Sequence, residues 1–446
     1  MPRGVTGDQE DTLLSAFAAA FRTPDLRKKL LFTLSIIVVY RLGASVPTPN
    51  TDIQNIQTCL DTASADAQNV YSLINLFSGG ALLRLSVFAL GILPYITASI
   101  IIQLLVVVIP RFDALKKEGQ SGQQKLTQYS RYLTVGLAVL QSTGFIALAR
   151  SGQLFQGCTS PILHQTDVFT LATMVLTMTA GTGVIMWLGE NITDRGIGNG
   201  MSILMFTSIA ARIPSEGQTI LQNGGGFDFT LIILLGLAII AAVVLVEQGQ
   251  RRIPVQYAKR MIGRKQYGGT STYLPLKVNQ AGVIPVIFAS SLLYIPQLIS
   301  QLQGNSSNAF QRFVSTYLLD QSNWVHILIY FALIIFFAYF YVGITFNPEE
   351  RADDMKKYGG FIPGIRPGRP TAEYLQYVLS RITLPGALYL GIVAILPNFF
   401  FTFTGGNNQN FPFGGTAVLI MVGVGLDTMK QIESQLMQRN YEGFLR

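Results

Sequence analysis

The chain has 446 residues, of which 49% are hydrophobic and 13% charged, with a net charge of +8 and a mean hydropathy of +0.39. A soluble protein carries about 25% charged residues, so the composition excludes an ordinary soluble enzyme and indicates a polytopic membrane protein. A bilayer core requires about 20 apolar residues as helix. Ten segments meet or approach this requirement: 30–46, 85–109, 132–149, 168–189, 197–213, 229–246, 281–299, 324–346, 375–397 and 413–429.

The residues before the first predicted span lack the pattern of a cleavable signal peptide. Acidic residues precede any apolar run, and the apolar patch is short and amphipathic. Thr23 and Pro24 instead predict a helix start, with the threonine as N-cap and the proline in the first turn.

Lysine and arginine are distributed unequally between the loops. With the N-terminus inside, 26 of the 32 basic residues lie in segments on the inner side. Three, Arg150, Arg212 and Arg312, lie in or at the edge of outer loops, and the other three, Arg41, Arg84 and Arg381, lie in or beside spans. Because cytoplasmic loops of membrane proteins carry an excess of basic residues, we expect both termini to be cytoplasmic.

Two cysteines, Cys59 and Cys158, fall in predicted outer loops. Neither belongs to a C-x-x-C pair or a metal-ligand cluster. They either pair with each other or remain two separate thiols, which is the commoner case for loop cysteines, and the sequence leaves both possibilities open.

The ten spans divide into two halves of five, and an odd number per half makes the second half inverted relative to the first. A glycine-rich stretch, QNGGGFD at 222–228, is the natural connection between the halves. The predicted organisation is a cytoplasmic N-terminal segment 1–27, an N-terminal half 28–213, an outer hinge 214–228, a C-terminal half 229–437 and a cytoplasmic tail 438–446.

A nine-residue repeat supports this division. The second span contains GILPYITAS at 91–99, and the seventh contains GVIPVIFAS at 282–290. Glycine, proline, isoleucine, alanine and serine match in register, and each segment lies in the second span of its half. Broken helices at matching places in inverted halves flank a central pathway in transporters. The alternatives are chance similarity of apolar sequences and two ordinary proline kinks.

Chemistry-bearing groups are almost absent from the middles of the spans. Glu190, Asp194 and Arg195 lie at a predicted cytoplasmic edge, and His326 starts a span at the outer interface, where a structural role is favoured. The glycine-rich residues 196–200 follow no strand and predict a tight turn rather than a nucleotide loop. We therefore expect no catalytic residue, no metal site and no cofactor, which argues against a secondary transporter and a membrane-embedded enzyme. Driving energy must come from a partner.

Two long cytoplasmic loops carry most of the polar character. The segment 247–277 has seven basic residues and one acid, and 347–374 contains FIPGIRPGRPT. We expect Pro363, Pro367 and Pro370 to forbid a helix and to place Arg366 on an exposed turn. Such loops suggest docking, and their charge suits anionic lipid, RNA or an acidic protein face equally.

Five motifs resemble those of the SecY family, the pore subunits of the bacterial Sec protein translocon: SGGALLRLSVFALGILPYITASIIIQLL, ITDRGIGNGMSI, GQRRIPVQYAKR, LPLKVNQAGVIPVIFASS and GFIPGIRPGRPTAEYL. The resemblance covers nearly the whole chain. It implies an all-α polytopic membrane protein, with ten transmembrane helices in two inverted five-helix halves that form a clam-shell around a central pore with a short plug helix. The implied function is a protein-conducting channel that translocates unfolded secretory polypeptides and releases transmembrane segments laterally into the membrane.

The resemblance also implies four groups of site residues. The pore ring comprises Ile92, Ile96, Met201, Met205, Ile287 and Ile420. The plug, about 71–84, includes Asn75, Phe77, Gly79, Gly80 and Arg84. The lateral gate includes Pro94, Thr97, Gln103, Asn279 and Pro285. The docking surface includes Arg251, Arg252, Lys259, Arg260 and Arg366.

The residues themselves support these groups only in part. Ile92 and Ile96 share a helix face, as do Met201 and Met205, and Ile96 and Ile287 are equivalent in the nine-residue repeat. The family usually has branched aliphatic residues at the two methionine positions, so this ring departs from it in detail. From the residues alone, the glycine pair and Arg84 fit a plug or a polar re-entrant turn equally well.

The partners that the resemblance implies are the SecE and SecG subunits, the SecA motor ATPase, the ribosome, signal sequences, unfolded polypeptide substrates and membrane lipids. The implied location is the cytoplasmic membrane of a bacterium. A lipid or protein insertase without a sealed pore is the remaining alternative, and a measurement of the resting seal separates the two.

Overall fold

The structure is a computed structural model that describes residues 23–62, 78–82, 84–150, 162–257, 260–262, 265–267, 271–302, 323–404 and 415–442. The helices in this part of the chain are α1 Pro24–Ser45, α2 Ile53–Thr62, α3 Leu93–Val108, α4 Pro110–Lys117, α5 Gln120–Arg150, α6 Val168–Arg195, α7 Gly200–Ala210, α8 Ile213–Gln248, α9 Ile284–Leu302, α10 Trp324–Thr345, α11 Pro348–Lys357, α12 Arg369–Thr404 and α13 Gly415–Glu442. The strands are β1 Gln250–Tyr257, β2 Arg260–Ile262, β3 Lys265–Tyr267, β4 Ser271–Lys277 and β5 Gly360–Phe361.

A helix overlaps each of the ten predicted spans. Within the described residues, five stretches are long and apolar enough to cross a membrane: Gln120–Arg150, Val168–Arg195, Phe229–Gln248, Trp324–Lys357 and Arg369–Leu396. A sixth results if α3 and α4, which bend by 101° at their junction, count as one span. The remaining predicted spans coincide with α1, α7, α9 and α13.

Two predicted spans are shorter than expected. The helix predicted over 85–109 begins only at Leu93, because 84–92 form turns around a bridge at Ser86. The span predicted over 197–213 reduces to the 11 residues of α7. Asn199 caps α7 by accepting from the amides of Met201 and Ser202, and two turn residues separate its end from α8.

The chain divides into two compact units. Unit 1 comprises Met1–Asn223, Asn408–Pro412 and Ile420–Arg446, and unit 2 comprises Gly224–Asn407 and Phe413–Leu419. The residues predicted as an outer hinge, 214–228, lie inside α8 and have a helical backbone. Their role as a hinge stays a prediction.

Unit 1 is held together by polar contacts as well as by apolar packing. The Tyr40 hydroxyl on α1 and the Ser208 hydroxyl on α7 share a buried hydrogen bond of 2.6 Å. Arg131 on α5 forms a bidentate ion pair with Glu190 on α6, at 2.8 and 2.9 Å. The Tyr40–Ser208 bond is buried, whereas the Arg131–Glu190 pair is partly exposed. The two contacts link α1 to α7 and α5 to α6.

Unit 2 combines membrane-type helices with a small sheet. The sheet has the order β4-β1-β5, with β1 antiparallel to both neighbours, and β2 pairs with β3 separately. Ile253 of β1 and Leu276 of β4 are buried in one cluster with Val342 of α10 and Leu375 of α12. One face of the sheet is therefore part of the core of unit 2. The sequence reasoning did not predict these strands.

Candidate functional site

The two matched nine-residue segments have the same backbone conformation. Gly91 and Gly282 both have a positive φ, 56° and 62° respectively, which glycine adopts without the steric cost that other residues incur. Pro94 and Pro285, three residues later, lie in the first turns of α3 and α9. Each half of the repeat is thus a left-handed glycine turn followed by a proline that starts a helix.

The hydrogen bonds of the two turns also correspond. The amide of Ile96 donates to the carbonyl of Ile92 at 3.1 Å, and its counterpart Ile287 donates to Val283 at 3.3 Å. The structure therefore confirms the internal repeat. The reading of the prolines as kinks within longer helices is wrong, because each proline begins a helix, where its missing N–H costs no hydrogen bond.

The predicted ring residues lie at the ends or along the sides of four helices. Ile92 directly precedes α3, Ile96 lies on α3, Met201 and Met205 lie on α7, Ile287 lies on α9 and Ile420 lies on α13. Ile96 is half-buried, and the other five are buried.

The two methionines differ in their surroundings. Met201 packs against Gly189 of α6, where an added Cβ would lie 2.5 Å from its Sδ atom. Met205 lies one turn further along α7, on the same face. Because Met201 fills the notch that Gly189 leaves, its side chain contributes to the packing of α6 against α7. The assignment of the ring stays a prediction.

The described part of the plug region is a turn anchored on two helices. Asn75 and Phe77 lie outside the described residues, whereas Gly79 and Gly80 have φ values of 65° and 89°. The Arg41 guanidinium on α1 donates to the Gly79 carbonyl at 3.3 Å, and a Cβ at Gly79 would lie 3.2 Å from the Ser208 Cα of α7. The positive φ and the close approach of Ser208 both favour glycine at 79. Arg84 is exposed.

Five polar or helix-starting residues were predicted to line the gate. Pro94 and Pro285 are buried, Gln103 on α3 is exposed, and the Thr97 hydroxyl donates to the Leu93 carbonyl at 2.9 Å. Asn279 is only 4% exposed. The gate role of these residues stays a prediction.

Asn279 braces the turn that begins α9. Its Nδ2 atom donates to the Glu247 carboxylate in the last turn of α8 and, at 3.2 Å, to the Gly282 carbonyl. The side chain thus links the end of one helix to the left-handed turn that starts the next. Sequence reasoning missed Glu247, although it is the one acid in the basic segment 247–277.

Both long basic loops, 247–277 and 347–374, contribute strands to the same sheet. Gln256 of β1 pairs with Phe361 of β5, so the segment of Arg251 and Arg252 lies next to the segment that leads to Arg366. All three arginines are exposed. Lys259 lies outside the described residues, and Arg260 begins β2.

Individual basic residues on this sheet are held differently. The Arg252 guanidinium lies 4.8 Å from the centre of the Tyr273 ring, a distance at which a cation is attracted to an aromatic face. Arg366 lies between two Pro-Gly turns, with Gly364 and Gly368 at φ 83° and 104°, which confirms its exposed turn. The expectation that Pro370 forbids a helix is wrong, because Pro370 lies in the first turn of α12.

A polar cleft of about 460 Å³ lies between the start of α7 and the part of α13 after Ile420, both within unit 1. Its lining includes Asn199, Ser202, Asp427 and Lys430. Gly198 at the base of α7 has a φ of 82°, which confirms the tight turn predicted there. The cleft is next to the helix turn that carries Met201, so a water-accessible region borders one of the predicted ring positions.

Comparison with known proteins decides the family. The SecY family model matches residues 86–429. The chain is 66% identical over 441 residues to the protein translocase subunit SecY of Mycobacterium tuberculosis strain H37Rv, covering 97% of this chain and 100% of that protein. This chain belongs to the SecY family. The SecY subunit of Streptomyces coelicolor is 66% identical over 440 residues, with the same coverage.

Solved structures agree with the chain in fold. A protein-conducting channel is 18% identical, with a TM-score of 0.61 and coverage of 91% of each chain. The Sec61 channel in a canine ribosome–channel complex is 18% identical, with a TM-score of 0.57 and the same coverage. The fold of this chain is that of the SecY and Sec61 channels, a polytopic bundle of ten membrane helices.

Proposed function

We propose that this chain is the protein-conducting channel subunit of the Sec translocase, and not an enzyme. It passes unfolded secretory polypeptides across the cytoplasmic membrane of a bacterium and releases transmembrane segments sideways into the lipid. The observation that carries this proposal is the SecY family match over residues 86–429, together with the repeated glycine turn that starts α3 in unit 1 and α9 in unit 2.

The proposed seal of the resting channel is the ring of Ile92, Ile96, Met201, Met205, Ile287 and Ile420. An apolar constriction excludes water and ions by dewetting, yet side chains without charge yield to a passing polypeptide. Methionine is unbranched and deformable, so the two methionines allow the ring to adapt to bulky segments. The plug around Gly79 and Gly80 closes the outer side, and Arg84 faces water there.

The proposed lateral gate is formed by α3 and α9. Each helix follows a glycine, Gly91 or Gly282, that tolerates large backbone rotation. The proline in the first turn of each helix breaks no hydrogen bond, because the N–H groups of a first turn have no partner within the helix. Interhelical hydrogen bonds in membranes are worth about 0.6–2 kcal/mol. Gln103 and Asn279 therefore supply a latch weak enough for a signal sequence to open.

The proposed docking surface is the sheet of β4, β1 and β5 with the turn of Arg366. Arg252 lies on the exposed face of β1, opposite the buried Ile253 and Val255, and Arg251 is exposed near the start of the strand, while the other face is buried in the core of unit 2. The channel has no energy source of its own, so the driving energy must come from a partner that docks on it. A basic surface suits the SecA motor ATPase or the ribosome, because positive charge attracts an acidic protein face or RNA. SecE, which clamps the two halves, and SecG complete the proposed complex, with both termini cytoplasmic as the 26 inner basic residues favour.

Reconstitution tests the function directly. Vesicles that contain this chain with SecE and SecG, supplied with SecA and ATP, should protect a signal-bearing precursor from added protease. A precursor without its signal sequence is the matched control and should stay accessible. Protection that is independent of this chain, or of the signal sequence, would overturn the proposal.

A further inference from the structure

Arg41 is an ionisable residue inside the first predicted span, 30–46. Charged side chains within membrane spans are rare, bind a partner and mark functional positions. In the structure Arg41 lies on α1, four positions before the end of the helix, and is only partly exposed. Its neighbour Tyr40 is fully buried, whereas Leu42 is 63% exposed. Arg41 therefore lies at the border between the buried and the exposed faces of α1.

The guanidinium of Arg41 binds a turn that lies far along the chain. Residues 78–82, which we call the Gly79 turn, precede the segment that leads to α3. The Nη1 atom of Arg41 donates to the Gly79 carbonyl at 3.3 Å, across 38 positions of sequence. Hydrogen bonds with an ionised donor are stronger than those between neutral groups, so this bond ties the turn to α1.

The Gly79 turn has hydrogen bonds of its own. The Ser78 hydroxyl accepts from the Leu82 amide at 3.2 Å, and the Ser78 carbonyl accepts from the Ala81 amide at 3.4 Å. The Ala81 carbonyl accepts in turn from the Ser86 amide at 3.1 Å. These local bonds maintain the shape of the turn without Arg41. Arg41 therefore determines where the turn lies and not how it folds.

Helix α7 forms the other side of the site that receives the turn. A Cβ at Gly79 would lie 3.2 Å from the Ser208 Cα and 3.3 Å from the Ser208 carbonyl oxygen. The Ser208 hydroxyl donates to the Leu204 carbonyl at 3.0 Å. Because a hydroxyl has one hydrogen, Tyr40 is the donor in the 2.6 Å bond between Tyr40 and Ser208. Adjacent residues of α1 thus hold the turn and the helix behind it, and we call Tyr40, Arg41 and Ser208 the seat of the turn.

The seat shares α7 with the proposed pore ring. Met205 precedes Ser208 by three positions on α7, so the two side chains lie on neighbouring turns of one side of the helix. Both residues are buried. Close-packed interiors transmit small displacements, so a shift of α7 that moves Met205 also changes the seat of the Gly79 turn.

We propose that Arg41 is a positioning residue of the resting channel: its guanidinium holds the Gly79 turn in the seat on α1 and α7, and the turn leaves the seat only when this bond breaks. The inference rests on the proposed function as a channel. A hydrogen bond with a charged partner corresponds to about a tenfold change in an equilibrium. A bond of this strength holds the turn at rest and still yields when a polypeptide enters.

Resting conductance tests the role of Arg41. The complex of this chain with SecE and SecG is incorporated into planar bilayers, and the open probability per channel is measured without precursor. Arg41→Met lacks the donor and should raise this probability about tenfold. Arg41→Lys retains a donor and should restore part of the seal. Arg150→Met, which replaces an exposed arginine at the end of α5, is the matched control and should have no effect. Equal resting open probabilities for Arg41→Met and the wild type would overturn the proposal.

Two adjacent glycines provide an independent test. Gly79 and Gly80 both have a positive φ, so alanine at either position carries a conformational cost. A Cβ at Gly79 would lie 2.9 Å from the Arg41 Nη1 atom, whereas one at Gly80 would meet nothing within 4 Å. Gly79→Ala should therefore raise the resting open probability more than Gly80→Ala does. Equal effects of the two variants would contradict the seat.

A combined variant separates a local role of Arg41 from a general loss of stability. Gly79→Ala already displaces the guanidinium, so the addition of Arg41→Met should change the resting open probability by less than about twofold, whereas independent defects multiply. Multiplied effects would overturn the proposal. Export of a signal-bearing precursor by the wild-type complex in the same lipids separates the two levels of the account. Absence of wild-type export would refute the proposed function, whereas normal wild-type export with an unchanged resting open probability in Arg41→Met would refute only the role of Arg41.

Discussion

The glycine turns that begin the two proposed gate helices make a quantitative prediction. Gly282 has a φ of 62°, and a Cβ added there would meet nothing within 4 Å. Gly282→Ala therefore creates no clash, and its cost is the left-handed conformation alone, about 1–2 kcal/mol for an L-residue. This corresponds to a factor of about 5–30 in the equilibrium between the native turn and its alternatives.

A matched set of variants isolates that cost. Gly282→Asn should be milder, because asparagine tolerates the left-handed region. Gly343→Ala, in α10 at a position equally free of neighbouring atoms but without a positive φ, should be neutral or stabilising, because alanine favours helices by about 1 kcal/mol over glycine.

Chemical denaturation in detergent measures the stability of the three variants, and precursor export measures their function. We expect Gly282→Ala to be destabilised and to show altered signal-sequence dependence. Gly282→Asn should show both effects to a smaller extent. If Gly282→Ala is as stable as Gly343→Ala, the turn does not require glycine. A role of the repeated glycine turns in the proposed gate helices α3 and α9 would then be refuted.

Three other predictions concern the remaining site groups. Arg366→Glu should abolish SecA-driven export while immunoblots show the chain inserted, whereas Lys356→Glu, exposed in the same loop, should export normally; normal export by Arg366→Glu would refute the docking role. Ile287→Asn should raise resting ion conductance in planar bilayers, because a polar group wets an apolar constriction; unchanged conductance there and at other ring positions would refute the ring. Gln103→Leu and Asn279→Leu should each change signal-sequence stringency in an export assay, the second also through loss of the donor to Glu247, and wild-type selectivity in both would count against the latch.

Hydropathy was sufficient to locate the helices but not where they begin. Residues 85–92 are apolar and were predicted to be helical, yet the Leu85 carbonyl accepts from both the amide and the hydroxyl of Thr48, at 2.9 and 2.7 Å. Leu85 is buried with a φ of 45°. These bonds come from a residue 37 positions away, so a local apolar pattern could not reveal them.

Composition located the basic surface that we propose for docking, but it did not predict the strands of that surface. Ile253 and Val255 alternate with exposed residues in β1, which is a visible strand pattern, but 247–277 was interpreted only as a long basic loop. The pairing of β5 with β1 joins segments about 100 residues apart, which only the fold reveals.

The polar contacts near the proposed gate and within unit 1 were the least predictable part of the structure. The Asn279–Glu247 bond and the Arg131–Glu190 ion pair join residues 32 and 59 positions apart. Each carboxylate was visible in the sequence near a span end, but its partner depends on how neighbouring helices pack. The nine-residue repeat is the opposite case, because its matching residues dictate the matching turns locally.

The central claim is that a polypeptide crosses the membrane through the predicted ring. A secretory precursor with one mid-chain cysteine is stalled halfway, and single cysteines replace Ile96, Met205, Ile287 or Ile420 in a background without Cys59 and Cys158 whose export has been verified. After oxidation, all four positions should capture the precursor, whereas a cysteine at Leu328, an exposed residue of α10, should not. Export of the precursor without capture at any of the four positions would show that the chain crosses elsewhere, and that the ring residues serve only to pack helices.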